Sequence, residues 1–544
     1  MKRSPRVAEF FPFPEIRPAQ EEALAAIEKA YASHKKFVIL EVPTGGGKSG
    51  IAIAAAQWAK AVLGAGTYIL SPQKTLTSQY LDDFAKIGLR ELRGRNGYEC
   101  AEFGTDCERG GMLRGGDKDL CQHCPYRAAK QDFISGSLGV TNFSYYLNEM
   151  GYAGELGRRS MLILDEGHNI EMALLGETDI AIKPRQQLQY GIQSVPENAK
   201  IDEYRKWVEQ VVCKVVDNFI QQEEKIDYPS PDDRVASSQR ISSARKMLFR
   251  LARFVNSDAL DQWVAWTDHE NTVTIRPLTP RLHTGRMLFD HADMIIIMSA
   301  TILDFKTFTR NLGITEGICE FLALRSDFPV KNREIHYHPV GSMAHDDQEA
   351  TLPLLAGFVR NVLSQLHPNE KGMVQTHTRK INEYLVRALS DLEGRIITHN
   401  TPKDRERAVD IHRSSSQPTV LFSPGMAEGL DLKDHLSRFQ IICKVPYPYL
   451  DQYTRSRMKL DPAWYQWRTA LTLVQATGRS VRSKDDYAIT YVADADFERF
   501  ISKNKNCLPR WWLDAIRWPS KGISVVPRAS HQKRRRSTDD LFLQ

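Results

Sequence analysis

The amino-acid sequence predicts an α/β protein with two doubly wound parallel-sheet domains. Near the N-terminus, an apolar, β-branched run beginning at residue 38 ends in a glycine-rich loop, and an alanine-rich helical segment follows at 51–62. This order of strand, loop and helix is that of an open α/β sheet. From about residue 327 onward, short apolar runs again alternate with helical segments, which predicts a second domain of the same class. The strands predicted there cover 372–376, 395–398, 418–422, 439–444 and 487–492.

The segment 38–49 reads VILEVPTGGGKS and has the features of a nucleotide phosphate site. Glycines lack Cβ atoms, so the backbone of this phosphate loop can approach an anion closely. Lys48 supplies a positive charge for the β- and γ-phosphates, and Ser49 supplies a hydroxyl for Mg²⁺. A plain glycine turn is the alternative, which the order of strand, loop, Lys-Ser and helix disfavours. The residues predicted to bind nucleotide here are Thr44, Gly45, Gly46, Gly47, Lys48 and Ser49.

Two further segments of the first predicted domain could contact a ligand. A helix is predicted from Pro18 to about residue 33, and Gln20 in its first turn could reach the edge of an adenine base. An exposed helix glutamine is the alternative. The apolar run 67–71 predicts a second buried strand, and the loop after it lies where ligands bind in open α/β sheets.

The segment 93–130 interrupts the α/β pattern, since it is rich in Gly, Arg, Lys and Cys. Four of the eight cysteines lie there, with the spacing Cys100-x6-Cys107-x13-Cys121-x2-Cys124. Four thiolates in one loop-rich stretch can complete a zinc site or an iron–sulfur cluster, and the spacing alone does not choose between them. Basic and aromatic residues are interleaved with the cysteines, which suits single-stranded nucleic acid; a solvated basic loop is the alternative.

The apolar run MLIL at 161–164 is followed by Asp165, Glu166, Gly167 and His168. This pattern predicts a buried strand whose tip presents two carboxylates to solvent. Asp165 can hold Mg²⁺, and Glu166 can polarise the water that attacks a γ-phosphate. Because the pair follows a phosphate loop, it indicates nucleotide hydrolysis.

The region 173–278 carries no chemical motif and predicts a largely helical insertion. Within it, 201–222 has apolar residues at four-residue steps, the spacing of an amphipathic helix. The next apolar run, 294–298, leads into Ser-Ala-Thr at 299–301. These small hydroxyl-bearing residues can connect the carboxylate tip to a neighbouring domain.

Two motifs stand out in the second predicted domain. One is the loop GMAEGLD at 425–431, and the other is QATGRSVR at 475–482. Arg479 and Arg482 are three residues apart and are predicted to share a helix face. Such a pair can supply an arginine finger to a bound nucleotide, and a basic surface helix is the alternative.

The composition is ordinary for a soluble globular chain, and the net charge of +6 permits a nucleic-acid partner. The sequence has no stretch of about 20 apolar residues, so no membrane-spanning helix is predicted. Its N-terminus lacks the long apolar core of a signal peptide. We therefore expect a cytoplasmic protein, in which a cysteine cluster indicates metal binding rather than disulfides.

Taken together, the motifs resemble those of a known family. PTGGGKS, DEGH, SAT, GMAEGLD and QATGRSVR occur in the order found in superfamily 2 helicases. The four cysteines, with Gly94-Arg95-Asn96 before the first and Pro125-Tyr126 after the last, are similar to those of the XPD/DinG group of iron–sulfur DNA helicases. The resemblance covers about residues 11–512.

The resemblance implies two RecA-like domains that use ATP and Mg²⁺, and a 4Fe-4S cluster on the four cysteines. It implies 5′ to 3′ movement on single-stranded DNA and unwinding of forked or tailed duplex DNA, with the cluster domain as a wedge and the insertion as a short Arch domain. DNA–RNA hybrids are a further implied substrate, and a monomer is expected. The residues with implied roles are Gln20 at the adenine, Lys48 and Ser49 at phosphate and Mg²⁺, Asp165 and Glu166 as the Walker B pair, Glu428 and Asp431 at the nucleotide, and Gln475, Arg479 and Arg482 in catalysis.

The predicted domains follow the motifs. They are the first helicase domain (1–92, 131–172 and 279–325), the Fe–S domain (93–130), the Arch-like insertion (173–278), the second helicase domain (326–522) and a disordered basic tail (523–544). Two other functions stay open at this point: an ATP-driven single-strand translocase or remodeller with little unwinding, and a zinc-stabilised nucleic-acid-binding switch. One departure, Gly167 where many relatives have Ala, is expected to be harmless.

Overall fold

The computed structural model describes residues 5–64, 66–114, 121–197, 199–399, 401–425, 432, 434–481 and 485–519. Three predicted site residues, Glu428, Asp431 and Arg482, lie outside this part of the chain, as does the predicted basic tail. Contacts divide the chain into two units. The first comprises the described residues up to Asp327 together with Tyr447–Leu471, and the second comprises Phe328–Pro446 and the described residues from Thr472 onward.

Strands of the first unit form mainly where apolar and β-branched residues run consecutively. They are β1 (Phe37–Glu41), β2 (Thr67–Ser71), β3 (Arg90–Glu91), β4 (Glu99–Cys100), β5 (Thr105–Asp106), β6 (Leu138–Asn142), β7 (Arg159–Leu164), β8 (Ile180–Ile182), β9 (Trp263–Thr267), β10 (Val273–Pro277), β11 (Ala292–Ser299) and β12 (Cys319–Ala323). The larger sheet has the order β12-β1-β11-β7-β2-β6-β3, and its neighbouring strands are parallel. Every residue of β1 and β2 is buried, as expected for a parallel sheet covered on both faces.

The helices of the first unit include those that cover both faces of this sheet. They are α1 (Pro18–Ala32), α2 (Lys48–Leu63), α3 (Lys74–Phe84), α4 (Cys107–Leu113), α5 (Pro125–Ser135), α6 (Phe143–Tyr152), α7 (Ile170–Thr178), α8 (Pro184–Tyr190), α9 (Ile201–Trp207), α10 (Cys213–Glu223), α11 (Pro231–Val255), α12 (Arg281–Met287) and α13 (Phe305–Leu312). Alternate residues of β1 enter two apolar cores, since Val38 and Leu40 join one and Phe37 and Ile39 join the other. The carboxyl ends of the strands therefore meet along one edge of a rigid layer.

The predicted helical insertion contains α8 to α11 and also a small antiparallel sheet, β8-β10-β9. A turn of π-helix at Val208–Val212 joins α9 to α10, so the predicted helix over 201–222 is present with one widened turn. The small sheet was not predicted. Its apolar alternation, Val273 with Ile275 on β10, covers too few residues to identify a strand.

From Phe328 onward the second α/β pattern is present as predicted. The strands are β13 (Ile335–Gly341), β14 (Gly372–Gln375), β15 (Ile396–Thr398), β16 (Val420–Ser423), β17 (Phe439–Ile442), β18 (Ile489–Asp494) and β19 (Ile516–Arg517), in a parallel sheet of order β15-β16-β14-β17-β18-β13-β19. The helices are α14 (Gln348–Asn361), α15 (Arg379–Ala388), α16 (Pro402–Ser414), α17 (Gln452–Leu460), α18 (Pro462–Thr477), α19 (Asp496–Asn504) and α20 (Arg510–Leu513). In the described part of the chain, none of the helices is long and apolar enough to cross a membrane.

The segment Tyr447–Leu471, which lies between β17 and β18 in sequence, packs within the first unit. Tyr453 donates its hydroxyl to the Leu278 carbonyl at 3.2 Å, and Arg457, 1% exposed, donates to Asn311 Oδ1 at 2.6 Å. Because these polar contacts are buried, the segment is firmly held. We call Tyr447–Leu471 the strap.

Candidate functional site

The glycine-rich loop between β1 and α2 adopts a conformation that requires glycine. Gly45 and Gly47 have φ angles of 75° and 81°. A Cβ on Gly46 would lie 2.6 Å from Val42 Cγ1 and 2.8 Å from the Pro43 carbonyl oxygen. The loop therefore turns tightly over the end of β1 and leads directly into the N-terminus of α2, where backbone N–H groups and the helix dipole favour an anion.

The start of α1 lies against this loop. Gln20 Nε2 donates to the Gly46 carbonyl at 3.3 Å, and Arg17 Nη1 donates to the Gly45 carbonyl at 2.9 Å. A Cβ on Gly47 would lie 2.2 Å from Gln20 Nε2, so the end of the Gln20 side chain packs directly against this glycine, whose φ angle favours glycine. Gln20 is thus placed at the phosphate loop, and its role at adenine stays a prediction. Arg17 was not predicted, and its one sequence signal is its position before the helix-starting proline.

Two predicted catalytic residues that are far apart in sequence meet at the carboxyl edge of the sheet. Lys48 Nζ lies 2.9 Å from Glu166 Oε1. Asp165, at the end of β7, is 5% exposed and accepts the Tyr80 hydroxyl on Oδ2 and the Glu166 backbone N–H on Oδ1, both at 2.9 Å. The structure therefore brings the phosphate loop and the carboxylate pair together in the first unit. Tyr80 was not predicted and carries no motif signal.

Burial controls the protonation of this cluster. It raises the pKa of Asp165 to about 6, with the Glu166 carboxylate adding to the rise and the Lys48 ammonium opposing it. Burial also raises the pKa of Tyr80 well above its usual value, so Tyr80 acts as a hydrogen-bond donor at neutral pH. Carboxyl groups whose pKa lies near neutrality are frequent at functional sites.

Gly167 is required by its neighbour on β11. A Cβ on Gly167 would lie 2.3 Å from Ile297 Cγ2, which is shorter than real Cβ contacts allow. The glycine in the DEGH stretch is therefore matched to Ile297, and alanine cannot replace it here without a shift.

The SAT stretch lies beside the DEGH stretch. His168 Nδ1 and Ser299 Oγ are 2.8 Å apart, and the Thr301 backbone N–H donates to Ser299 Oγ at 3.1 Å. His168 Nε2 is 3.0 Å from the Asn169 side-chain amide. Both ring nitrogens of His168 are thus engaged, so the imidazole is held between the two motifs.

All four predicted metal-binding cysteines line one cavity of about 60 Å³: Cys100, Cys107, Cys121 and Cys124. Cys107 Sγ and Cys124 Sγ are 3.7 Å apart, and Arg114 Nη1 donates to Cys121 Sγ at 3.3 Å. Burial raises the pKa of Cys107 to about 12, and its contact with Cys124 adds to the rise. Burial acts in the same direction on Cys124, but backbone N–H groups at the start of α5 outweigh it and lower that pKa.

The four thiols are a chemically suitable set of ligands for a zinc ion or an iron–sulfur cluster. A Cβ on Gly110 would lie 2.4 Å from Cys100 Sγ, so this glycine leaves the space in which the thiol sits beside the cavity. Among the residues that the structure describes, no three His, Cys, Asp or Glu side chains are arranged to hold one metal ion. Whether zinc or an iron–sulfur cluster binds stays a prediction.

The second unit contains the remaining predicted catalytic residues. Gln475 is 9% exposed near the end of α18. α18 ends at Thr477, and the Gly478 N–H closes a turn on the Gln475 carbonyl at 3.2 Å. The prediction of a helix face shared by Arg479 and Arg482 is therefore wrong for Arg479, because Gly478 follows the last helical residue. Arg482 lies outside the described residues.

Two family matches cover much of the chain. Residues 369–515 match the family described as helicase C-terminal domain, and residues 13–190 match the family described as type III restriction enzyme, res subunit. The first match lies within the second parallel-sheet region. The second includes the phosphate loop, the cysteines and the DEGH stretch.

Curated relatives are similar over shorter stretches. The chain is 31% identical over 108 residues to the regulator of telomere elongation helicase 1 homolog of Caenorhabditis elegans, which is 17% of this chain and 11% of that protein. It is 30% identical over 134 residues to the general transcription and DNA repair factor IIH helicase subunit XPD of Schizosaccharomyces pombe, which is 22% of this chain and 17% of that protein. The matched stretches thus span less than a fifth of the length of either relative.

Solved structures show the same fold. One described as an XPD helicase aligns with a TM-score of 0.65 at 16% identity, covering 93% of this chain and 100% of that one. The structure of S. tokodaii Xpd4 aligns with a TM-score of 0.59 at 14% identity, again over 93% and 100% of the two chains. The chain thus has the fold of these XPD structures, and residues 369–515 carry a match to the helicase C-terminal domain family.

Proposed function

We propose that this chain is an ATP-dependent DNA helicase that moves 5′ to 3′ along single-stranded DNA and unwinds duplex DNA. The observation that carries the proposal is the 2.9 Å contact between Lys48 and Glu166 beside the buried Asp165. This contact supports the proposal, because it joins the glycine-rich loop to the carboxylate pair at one edge of a parallel sheet. Relatives named as XPD and as a telomere elongation helicase regulator support DNA as the substrate.

The contact between Lys48 and Glu166 suggests how nucleotide engages the site. A γ-phosphate at the loop would compete for the Lys48 ammonium and release Glu166, which would then orient the attacking water. Ser49 and Asp165 would hold Mg²⁺, which supplies charge neutralisation at the phosphates. The residues with further proposed roles are Gln20 at the adenine, Glu428 and Asp431 at the nucleotide, and Gln475, Arg479 and Arg482 in stabilising the charge that develops on the leaving phosphate.

We further propose that the four cysteines hold a 4Fe-4S cluster and that their segment is a wedge at the junction of single strand and duplex. Their shared cavity supports this, as does the thiol donor set. The segment is linked to the insertion, the proposed Arch-like domain, by an exposed ion pair in which Arg109 Nη2 lies 2.5 Å from Asp232 Oδ1. Forked or tailed duplex DNA and DNA–RNA hybrids are the proposed substrates of a monomeric, cytoplasmic protein.

The test of the motor uses two labelled partial duplexes, one with a 5′ tail and one with a 3′ tail, and anaerobically purified protein with or without ATP. Displacement from the 5′-tailed substrate alone is expected. Strand displacement from the 3′-tailed substrate would still indicate a helicase but would refute the proposed 5′ to 3′ polarity. Turnover stimulated by DNA without displacement would favour a translocase or remodeller.

The test of the cluster compares Cys121→Ser with Cys213→Ser, which changes a cysteine of the insertion far from the cavity in sequence. Cys121→Ser is expected to lose iron, broad absorbance near roughly 400 nm and unwinding, while DNA-stimulated ATPase persists. Cys213→Ser should keep all of them. A colourless protein with bound zinc would refute the cluster and favour a zinc-stabilised segment, and normal unwinding by Cys121→Ser would refute the wedge.

A further inference from the structure

A buried carboxylate at the end of β1 holds the loop that follows the SAT stretch. We call this loop, residues 301–304, the SAT loop. Glu41, the last residue of β1, is 5% exposed, and its Oε2 accepts the backbone N–H groups of Ile302 and Leu303 at 2.8 and 2.5 Å. All of these residues belong to the first unit. One carboxylate oxygen therefore ties the strand that precedes the phosphate loop to a residue 261 positions farther along the chain.

The SAT loop has a backbone shape that suits an anion. Leu303 has a φ of 62°, in the left-handed region that bulky residues rarely adopt. Two successive N–H groups beside a left-handed residue form a concave site for an anion, and the Glu41 carboxylate occupies it. Burial raises the pKa of Glu41, and its two hydrogen bonds with backbone N–H groups act in the opposite direction. The carboxylate and the left-handed turn therefore stabilise each other.

The SAT loop is connected to the predicted catalytic carboxylates. The Thr301 N–H donates to Ser299 Oγ at 3.1 Å, and this oxygen lies 2.8 Å from His168 Nδ1. Glu166 Oε2 lies 3.4 Å from the same nitrogen. Because Thr301 directly precedes the two N–H groups that the carboxylate binds, the turn also positions the contact between Ser299 and His168.

Two further hydrogen bonds hold the backbone on either side of the turn. The Val42 N–H donates to the Ser299 carbonyl at 2.8 Å, so the residue after Glu41 binds the SAT stretch as well. The indole Nε1 of Trp467 in the strap, which is 2% exposed, donates to the Ile302 carbonyl at 2.9 Å. These two bonds fix the flanks of the turn, whereas the Glu41 carboxylate binds the turn itself.

We infer that Glu41 is a positioning residue for ATP hydrolysis, because its carboxylate holds the left-handed turn that places Ser299 against His168. Through that histidine the turn orients Glu166, the residue proposed to orient the attacking water. The inference rests on the proposed function and adds to it a residue outside the recognised motifs. A change at Glu41 should therefore lower the rate of hydrolysis more than the affinity for ATP.

Glu41→Gln is the most informative variant. It keeps the size of the side chain and one acceptor oxygen, so the fold should be retained. It removes the negative charge, and hydrogen bonds to a charged acceptor are roughly twice as strong as those to a neutral one. The variant thus weakens the hold on the turn without opening a cavity beside the phosphate loop.

Asp304 offers a matched control at the other end of the SAT loop. Its Oδ1 accepts two backbone N–H groups, those of Lys306 and Thr307, at 3.0 and 3.3 Å. These bonds form the N-cap of α13. Asp304→Ala therefore removes two backbone hydrogen bonds from the same loop and leaves the carboxylate that binds the turn at Leu303 in place.

The experiment compares Glu41→Gln and Asp304→Ala in the full chain by their Tm and by their kcat and KM for ATP. Glu41→Gln should lower kcat about fivefold and leave KM within about twofold. Asp304→Ala should lower the Tm through loss of the cap but leave kcat and KM within about twofold. A normal kcat in Glu41→Gln, or an equal loss of kcat in Asp304→Ala, would overturn the inference.

A second substitution tests whether the carboxylate acts through the turn. Asparagine adopts the left-handed region more readily than leucine, so Leu303→Asn should favour the turn without the charge of Glu41. Adding Leu303→Asn to Glu41→Gln should restore kcat to within about twofold of the unsubstituted chain, and no recovery would overturn the inference. A chain that hydrolyses no ATP before any substitution would refute the proposed function and this role together. An active chain with a normal kcat in Glu41→Gln would refute this role alone.

Discussion

The nucleotide-site residues of the first unit and its cysteine-rich segment are built in different ways. Lys48 begins a 16-residue helix, and Asp165 directly follows a strand whose last four residues are buried. Both elements pack into cores on the faces of the parallel sheet. The 2.9 Å approach of Lys48 to Glu166 is therefore set by the packing of the sheet.

The cysteine-rich segment has little packing of this kind. Its strands β4 and β5 have two residues each, α4 has seven, and Phe103 is 38% exposed. The cysteines share a cavity, yet among the described residues they do not form a finished metal site. Small loop-rich segments with small cores commonly take their final geometry from the metal they bind.

The packing of the sheet therefore positions Lys48 and Asp165, whereas the four cysteines lie in a segment that has little packing of its own. Substitutions among the nucleotide-site residues should change ATP turnover or local packing and leave the fold of the cysteine-rich segment unchanged. Substitutions in the cysteine-rich segment should change metal content first.

Removing the Lys48 ammonium should have the largest effect. Lys48→Ala is expected to lower ATP turnover by about 10³-fold, because a preorganised charge at the phosphates is lost. Single-stranded DNA binding and iron content should be unchanged. Lys60→Ala, which truncates an exposed lysine of the same helix, is the control and should retain turnover. Turnover retained by Lys48→Ala would refute the assignment of the phosphate loop.

The buried Asp165 should make stability depend on pH in magnesium-free buffer. Its folded pKa is about 6, against about 3.9 in an unfolded chain. A raised carboxyl pKa means that the folded state binds the proton more tightly, so ionisation destabilises the fold. The destabilisation is absent below about pH 4, is complete above about pH 6 and amounts to about 3 kcal/mol.

The measurement is the Tm of Asp165→Asn relative to the unsubstituted chain. We expect this difference to rise as the pH increases from about 4.5 to 7.5, since the variant lacks the ionisable group. Saturating Mg²⁺ should reduce the rise. A Tm difference that does not change across this pH range would show that burial in the folded state does not raise the pKa of Asp165.

Gly167→Ala should disturb the packed site by overpacking. The new Cβ would lie 2.3 Å from Ile297 Cγ2, and relief of such a contact costs about 1–3 kcal/mol. We expect a lower Tm and slower ATP turnover, with iron content retained. Gly176→Ala on α7 is the control, because a Cβ there meets nothing within 4 Å and alanine favours a helix. Equal Tm values for the two variants would contradict the close contact.

Gly110→Ala should act on the cysteine segment alone. A Cβ at Gly110 would lie 2.4 Å from Cys100 Sγ, whereas a Cβ at Gly111 meets nothing within 4 Å. Gly110→Ala is therefore expected to lower bound iron about tenfold through displacement of one thiol, and Gly111→Ala to retain it. ATPase without DNA should be the same in both. Full iron in Gly110→Ala would mean that Cys100 is not a ligand.

Local patterns made much of the fold predictable. The helix starting at Pro18, the strands at 67–71 and 161–164, and the strands of the second unit follow from apolar runs and turn residues, and the structure confirms them. A shared site for the phosphate loop and the carboxylate pair was also predicted from their motifs, since both act at a γ-phosphate. The small sheet β8-β10-β9 did not, since its strands are short and two of them are separated in sequence by the helices of the insertion.

The missed site residues share one property. Arg17 and Tyr80 each act through one hydrogen bond to a partner 28 or 85 residues away, and Glu41 accepts hydrogen bonds from two backbone N–H groups, of Ile302 and Leu303, that are 261 and 262 residues away. No local spacing signals such a pair, because a side chain that bonds one distant backbone or carboxyl group leaves no periodic pattern. Only the packing of α1, α3 and β1 against the loops at the edge of the sheet identifies them.

Residue type and local spacing were enough to predict the fold class and the order of the motifs, and they suggested the chemistry of the phosphate loop, the carboxylate pair and the cysteines. Tertiary structure alone decided which side chains complete the site, that Gly167 is matched to Ile297, and that the strap packs in the first unit and places Trp467 on the SAT loop. The physical reason is that close contacts between distant segments depend on shape complementarity and burial, which no linear pattern encodes.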